Sequence, residues 1–208
     1  MPQIELANGK VSQCDQQVLR NLPIQNPSQA LQQNKWTIVY ERKHYDQANG
    51  VFETLRSASV KIGIQVEQPN WIELSHGQDY STLDNELKRL IESKMRPTIV
   101  FVMLSNEKNY KAIKAVCYSN QLVSQCVKYN NFGRGMQLSV ASNILRQMNS
   151  KIGGDLYNLK FAQQISPLTM LFGIDVCHSG PNSIVGFCAS INKDMSQYWS
   201  ERIVQRKG

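Results

Sequence analysis

The chain has 208 residues, of which 41% are apolar, and a formal net charge of +7. No apolar run approaches the roughly 20 residues that a membrane-spanning helix needs, and the amino terminus lacks the basic start and apolar stretch of a secretory signal. The five cysteines are scattered without CxxC spacing, which favours free thiols over disulfides or zinc. These features predict a globular protein of a reducing compartment, the cytoplasm or the nucleus or both, with no membrane partner.

The basic excess lies in one block of the chain. Residues 1–100 and 161–208 are close to neutral, whereas residues 101–160 carry eight basic side chains against two acidic ones. A local basic block favours an anionic partner, although charge alone leaves open a solvated surface without function.

The first elements in chain order predict a linker and then an α/β pattern. Residues 1–34 are rich in Gln, Asn and Pro and are expected to form a linker or to pack along a neighbour. A strand is predicted from Trp36, a helix over 47–58 and a strand over 60–66. Ser-Thr-Leu-Asp at 81–84 is typical of a capping box that begins a helix.

The alternation continues along the basic block. A strand, a helix, a strand and a long helix are predicted over 98–104, 107–119, 124–129 and 137–152. The first of these, TIVFVML, is a continuous apolar run of the kind found in buried parallel strands. Alternating strands and helices predict a Rossmann-like α/β domain with a mostly parallel sheet over residues 35–160.

The pattern changes after Leu156 to short strands joined by short connections. Strands are predicted at 171–176, 184–191 and 198–205, which together make a β-meander. Three strands leave their sheet without cover, so we expect residues 161–208 to be the first part of a second domain.

Two side chains on the helix after the TIVFVML strand could bind a nucleotide. Tyr110 and Lys114 are four residues apart and share a helix face. The start of this helix is expected near the carboxyl edge of the sheet, where open α/β sheets bind ligands. There the ring could stack on a base and the ammonium could meet a phosphate. An ordinary amphipathic helix is the alternative.

The next strand and helix add polar groups at the same edge. Gln125 lies on the short strand, while Gln147 and Lys151 share a face of the long helix. A glutamine can donate to a phosphate oxygen or offer its carbonyl to a cation, and simple solvent exposure is the alternative for each.

Three motifs in this region resemble the MID signature of the Argonaute family in order and spacing: YKAIK at 110–114, SQCV at 124–127 and KIGG at 151–154. The resemblance implies that residues 35–160 are a MID domain that binds the 5′ phosphate of a small guide RNA. The implied phosphate ligands are Tyr110, Lys114, Gln125 and Lys151. Tyr110 would also stack on the first base.

Gln147 stands where Argonautes proper usually carry a lysine. This departure resembles the Piwi branch of the family, in which the glutamine helps to hold a divalent cation beside the phosphate. The resemblance therefore implies an RNA-dependent Mg²⁺ ion that Gln147 and phosphate oxygens share.

The segment FGIDVCH at 172–178 resembles the first strand of a PIWI domain, which has an RNase H-like fold. By this resemblance Asp175 matches the first metal-binding carboxylate of a nuclease site. A strand aspartate among apolar neighbours is costly unless it is paired or bound to metal. The other acids of a two-metal site have no match in the chain, so we do not expect the chain itself to cleave RNA.

These observations predict a module that holds the 5′-phosphorylated end of a small single-stranded guide RNA, similar to a piRNA, in RNA-guided gene silencing. Target RNA would be engaged by the longer parent protein, and a monomer is expected. Two alternatives remain: part of an RNA-guided endonuclease, and a generic α/β nucleotide-binding module. The loop over 104–109, which precedes Tyr110, is expected to set the preferred 5′ base.

Overall fold

A computed structural model of the chain describes residues 3–5, 9, 11–14, 31–129, 135–160, 166 and 168–206. The chain divides into one unit formed by Asn21–Leu156 and a second formed by Met1–Arg20 with Tyr157–Gly208. The sequence predicts three segments with limits at 1–34, 35–160 and 161–208. The division into two units does not test these limits, so they stay predictions.

In chain order the described strands are β1 (Gln3–Glu5), β2 (Val11–Gln13), β3 (Trp36–Glu41), β4 (Asn70–Leu74), β5 (Ile99–Leu104), β6 (Ser124–Lys128), β7 (Asn158–Lys160), β8 (Phe172–Ser179), β9 (Asn182–Ser190) and β10 (Tyr198–Arg206). The described α-helices are α1 (Tyr45–Ile62), α2 (Tyr80–Glu92), α3 (Tyr110–Ser119) and α4 (Leu138–Lys151).

A four-stranded parallel sheet in the order β4-β3-β5-β6 forms the centre of the unit Asn21–Leu156. Strands β3 and β5 are buried along their whole length. Because side chains alternate across a strand, Ile99, Phe101 and Met103 enter the core under α1 and α4, while Val100 and Val102 enter the core under α2 and α3. The predicted α/β class with a mostly parallel sheet is confirmed.

The predicted strand over 60–66 is wrong. Helix α1 continues to Ile62, because the helical spacing of its buried side chains continues through Leu55, Ala58 and Ile62. Gly63 then ends the helix in the left-handed region at φ 76°, a conformation that glycine adopts without strain. The strand of this sheet that follows β3 in the chain is β4 (Asn70–Leu74).

The predicted capping box over 81–84 is also wrong. Helix α2 begins two residues after Gln78, and its N-cap is Asp79, whose carboxylate accepts the Thr82 backbone N–H at 3.3 Å. Hydrogen bonds from Ser75 and Thr82 hold the pKa of the Asp79 carboxyl well below its usual range. A carboxylate at the start of the helix satisfies an otherwise unpaired amide and interacts favourably with the helix dipole.

The described residues of the second unit form two antiparallel sheets, in the orders β2-β1-β7 and β10-β9-β8. The latter is the predicted meander, and both of its outer strands are exposed along their whole length. None of the helices in the described part of the chain combines the length and the apolar character that crossing a membrane requires.

Candidate functional site

Two lysines meet at one backbone carbonyl on the sheet edge. Helices α3 and α4 pack on opposite faces of the sheet, and β6 is the edge strand that both helices flank. The Lys114 ammonium on α3 donates to the Ser124 carbonyl at 3.0 Å and to its Oγ at 2.8 Å. The Lys151 ammonium, from the last turn of α4, donates to the same carbonyl at 3.1 Å. The fold therefore gathers two charges from opposite faces at the first residue of β6.

Gln125 connects Lys151 to Gln147 through hydrogen bonds. Its side chain is buried, with 6% exposure, and its Oε1 accepts from Lys151 Nζ at 2.8 Å. An ammonium can only donate, so the carboxamide oxygen must face Lys151 and its nitrogen must face away. That nitrogen donates to Gln147 Oε1 at 3.2 Å and to the Cys126 carbonyl at 3.3 Å. We call Lys114, Ser124, Gln125, Gln147 and Lys151 the lysine cluster.

Within the described part of the chain, no carboxylate compensates the positive charge of the lysine cluster. Among the described residues neither ammonium pairs with a carboxylate, and both donate to neutral oxygens. Burial, and then repulsion from Lys114, lowers the pKa of Lys151. Burial raises the pKa of the nearby Cys126 thiol although both lysines oppose that shift, so this cysteine is not a thiolate that could neutralise them. The arrangement suits an anion that bears several acceptor oxygens.

An exposed aromatic ring stands beside the lysine cluster. Tyr110 is the first residue of α3 and keeps 46% of its surface exposed. Lys114 Nζ lies 5.8 Å from the centroid of this ring. The ring is therefore open to stacking while its neighbour belongs to the charged cluster.

A groove of about 530 Å³ adjoins the two lysines on the surface of the same unit. It is lined by Lys111, Lys114, Ala115, Tyr118, Leu122, Val123, Ser124 and Lys151. Tyr110, Gln125 and Gln147 are not part of this lining. The groove adds a third lysine near the cluster, and its size is that of small-ligand sites in general.

The predicted site residues are brought together, but at a different place in the sheet. Lys114, Gln125, Gln147 and Lys151 form one hydrogen-bonded network, and Tyr110 adjoins it through Lys114. The sequence predicted a site at the carboxyl edge of the sheet. The lysines instead meet at the amino end of β6 and on its open side, because each side chain reaches around the edge strand.

Ser124 is the member of the lysine cluster that the sequence did not predict. Its carbonyl accepts from two lysines, and its hydroxyl from one. The available signal was its place directly before Gln125 in the SQCV motif. A backbone acceptor carries no residue-type signature, so only the position of the strand relative to the helices identifies it.

The argument that Asp175 needs a charged partner or a metal is wrong, because its side chain is exposed on β8, opposite Gly186 of β9. No burial penalty then requires a partner or a metal. The described ranges hold no group of three His, Cys, Asp or Glu side chains that could bind a metal ion. Its assignment as the first ligand of a nuclease site stays a prediction.

Comparison with known proteins places these features in a family. The Piwi domain family model matches residues 98–208, and the match begins inside the predicted domain 35–160. Piwi-like protein 1 of Gallus gallus is 30% identical over 186 residues, which cover 84% of this chain and 20% of that protein. The chain thus spans about a fifth of the length of this relative.

Solved structures show the same fold. The crystal structure of Drosophila Piwi matches with a TM-score of 0.82 and 18% identity, over 99% of this chain and 30% of that one. The MID-PIWI domains of the N. crassa QDE-2 AGO protein match with a TM-score of 0.65 and 20% identity, over 88% of this chain and 54% of that one. The matches to the Piwi domain model and to Piwi-like protein 1 show that the chain belongs to the Piwi family, and its fold is that of MID-PIWI domains.

Proposed function

We propose that this chain holds the 5′-phosphorylated end of a small single-stranded guide RNA. The observation that carries the proposal is the lysine cluster, in which the ammonium groups of Lys114 and Lys151 share the neutral carbonyl of Ser124. Two positive charges around one neutral acceptor are an arrangement that an anion stabilises.

A terminal phosphate fits this cluster chemically. It carries close to two negative charges near neutral pH, and its oxygens can accept from both lysines at once. Tyr110, whose ring centroid lies 5.8 Å from Lys114 Nζ, carries a hydroxyl that could donate as well. The Gln125 nitrogen already donates to Gln147 Oε1 and to the Cys126 carbonyl, so it would have to leave one of them to reach the phosphate. The first base could stack on the exposed Tyr110 ring.

Membership of the Piwi family supports a guide RNA over a free nucleotide as the anion, since the relatives are named Piwi-like and argonaute proteins. A piRNA-like guide, action on target RNA in gene silencing, a monomeric state and a place in the cytoplasm or nucleus belong to the same proposal. They concern the longer protein of which this chain spans a part.

The test compares binding of three RNAs of one sequence: a 5′ monophosphate, a 5′ hydroxyl and a 3′ monophosphate. The 3′ isomer carries the same total charge as the 5′ monophosphate, so it separates recognition of the 5′ end from general attraction. We expect the 5′-phosphorylated RNA to bind about tenfold or more tightly than either control, which corresponds to about 1.4 kcal/mol. Equal affinity for all three would contradict the proposal.

The residues present are compatible with a Mg²⁺ ion that the phosphate shares. Gln147 is exposed, and its Oε1 is already turned towards the cluster, where it accepts from Gln125. It offers one oxygen, which suits a metal that keeps several waters and shares phosphate oxygens. When bound, the ion would supply the positive charge that a lysine at position 147 would otherwise contribute.

Gln147→Lys should reduce the dependence of binding on Mg²⁺. A lysine there would place a third charge near the phosphate, so the ion would be needed less. The measurement is the affinity for 5′-phosphorylated RNA in Mg²⁺ and in EDTA at matched ionic strength. We expect the wild-type chain to bind more tightly with Mg²⁺ and the variant to bind almost equally in both.

Ser139→Lys is the matched control for this measurement. It adds the same charge to an exposed position of α4, about 12 Å along the helix axis from Gln147. This control should keep the Mg²⁺ dependence of the wild-type chain. If wild type and Gln147→Lys both bind identically in Mg²⁺ and EDTA, no metal shares this site.

A further inference from the structure

The end of helix α4 places the second lysine of the cluster. Lys151 is the last residue of this helix, and its ammonium donates to the Ser124 carbonyl at 3.1 Å and to Gln125 Oε1 at 2.8 Å. The last carbonyls of a helix have no partners further along the helix, so the residues that follow must hold its final turn. Lys114, in contrast, lies within α3, which continues to Ser119. The position of Lys151 therefore depends on how the chain leaves α4.

Two backbone hydrogen bonds close the end of α4. The Gly154 N–H donates to the Asn149 carbonyl at 2.9 Å, and the Gly153 N–H donates to the Ser150 carbonyl at 3.4 Å. Gly153 has a φ of 90°, in the left-handed region that glycine adopts without strain. This is the Schellman motif, in which the two residues after the C-cap satisfy the final carbonyls of a helix. It fixes Lys151 as the last helical residue.

A buried asparagine covers the second glycine of this motif. Asn149 is 1% exposed, although asparagine is a weak helix former and a polar side chain inside a core is costly. A β-carbon built on Gly154 would overlap the Asn149 carboxamide, to which its three nearest atoms belong. The φ of Gly154 lies outside the left-handed region, so this contact, and not the backbone conformation, requires glycine at 154.

The carboxamide takes the place of a contact that Schellman motifs often contain. An apolar side chain frequently joins the same two positions, the third residue from the end of the helix and the second residue after its C-cap. Here Asn149 and Gly154 occupy those positions. The two glycines of KIGG thus have different roles, since Gly153 supplies a conformation and Gly154 supplies space.

We propose that Asn149 is a positioning residue for Lys151. Packed on Gly154, its carboxamide fixes the turn that ends α4 and thereby holds the Lys151 ammonium at the Ser124 carbonyl. A helix end displaced by one residue would turn the lysine by about 100° around the axis and move it by about 1.5 Å. This inference rests on the proposed guide-end site.

The first test uses single variants of the 208-residue chain. Affinity is measured for one RNA with a 5′ phosphate and with a 5′ hydroxyl, and thermal unfolding reports the folding of each variant. Asn149→Ala should weaken binding of the phosphorylated RNA about threefold to fivefold and leave binding of the hydroxyl RNA nearly unchanged. Gly154→Ala should weaken it at least as much, because the new methyl group displaces the carboxamide. If Asn149→Ala does not fold, Gly154→Ala decides, because it removes no core side chain.

Met148→Ala and Gly50→Ala are the matched controls. Met148 is completely buried on the same helix, so its truncation lowers stability while the turn after α4 keeps its contact. This variant should lower the unfolding temperature at least as much as Asn149→Ala and still keep the phosphate preference. A β-carbon on Gly50 would meet nothing within 4 Å, so Gly50→Ala should also keep the preference.

Two double variants identify the group through which Asn149 acts. In a chain that already carries Lys151→Ala, Asn149→Ala should weaken binding of the phosphorylated RNA less than about 1.5-fold, because the positioned ammonium is gone. In a chain that already carries Asn149→Ala, Gly154→Ala should weaken binding less than it does alone, because the group that its methyl would overlap is absent.

Three results would overturn the inference. One is an unchanged phosphate preference in folded Asn149→Ala and Gly154→Ala. Another is an effect of Asn149→Ala that is equally large with and without Lys151, which would mean that the asparagine acts through another group. The third is an equal loss of preference in Met148→Ala, which would mean that any destabilisation of α4 has this effect. Failure of the proposed function has a separate signature, an equal affinity of the wild-type chain for both RNAs, and the inference would fall with it.

Discussion

Lys114→Ala and Lys151→Ala are each expected to weaken binding of 5′-phosphorylated RNA about tenfold or more. Each lysine would donate a charge-assisted hydrogen bond to the phosphate, and such bonds contribute about 1.5–3 kcal/mol. Both ammonium groups donate to one atom, the Ser124 carbonyl oxygen, so both could contact the same phosphate. Removing either lysine leaves a single ammonium group to bind it. The measurement is the equilibrium affinity for the same RNA with a 5′ phosphate and with a 5′ hydroxyl.

Lys111→Ala is the matched control for these two variants. It removes the same charge from an exposed position of α3 that lines the groove, and Lys111 makes none of the hydrogen bonds of the lysine cluster. We expect it to weaken binding less than about threefold and to leave the preference for the phosphate unchanged. Equal losses in all three variants would mean that the basic block attracts RNA diffusely and that the cluster does not recognise a 5′ end.

Phe101→Ala is expected to lower the free energy of unfolding of the chain by about 3–5 kcal/mol. Phe101 lies on the central strand β5, is completely buried, and belongs to the core under α1 and α4. The substitution removes the ring's apolar contacts and leaves a cavity that a sheet flanked by helices can close only in part. Urea unfolding followed by tryptophan fluorescence measures it, since Trp36 is buried in the same core.

Phe172→Ala is the corresponding control in the second unit. The same side chain is removed, but Phe172 is 66% exposed on the outer strand β8. Its removal should change the free energy of unfolding by less than about 1 kcal/mol. A similar effect of both substitutions would mean that the parallel sheet does not form the core of this chain.

Several elements could be predicted from the sequence because their signals are local. The TIVFVML run predicted the buried strand β5, and helical spacing predicted α3 and α4 with limits close to those observed. The failures occurred where two local readings compete. An alternating pattern over 60–66 also fits the end of a helix, and Val60, which the strand reading needed, is 84% exposed on α1.

The candidate site, too, could be predicted from the sequence only in part. The spacing of Tyr110 with Lys114, and of Gln147 with Lys151, placed each pair on one helix face, and the structure shows Lys114 beside the Tyr110 ring. No periodicity predicts that lysines on opposite faces of the sheet reach the same carbonyl of an edge strand. That meeting depends on the strand order, which places β6 at the edge between α3 and α4.

The sequence by itself determined the α/β class, the buried strands, the basic block and the residues of the lysine cluster other than Ser124. Only the tertiary structure decided where that cluster lies, and that the side chains of Glu41 and Asn109 both approach Gly77. These three residues are far apart in the chain, and none of them shows a pattern in its own neighbourhood. The physical reason is that periodicity reports which face of an element is buried, whereas a site needs contacts between elements, and those arise from strand order and from helix packing across the sheet.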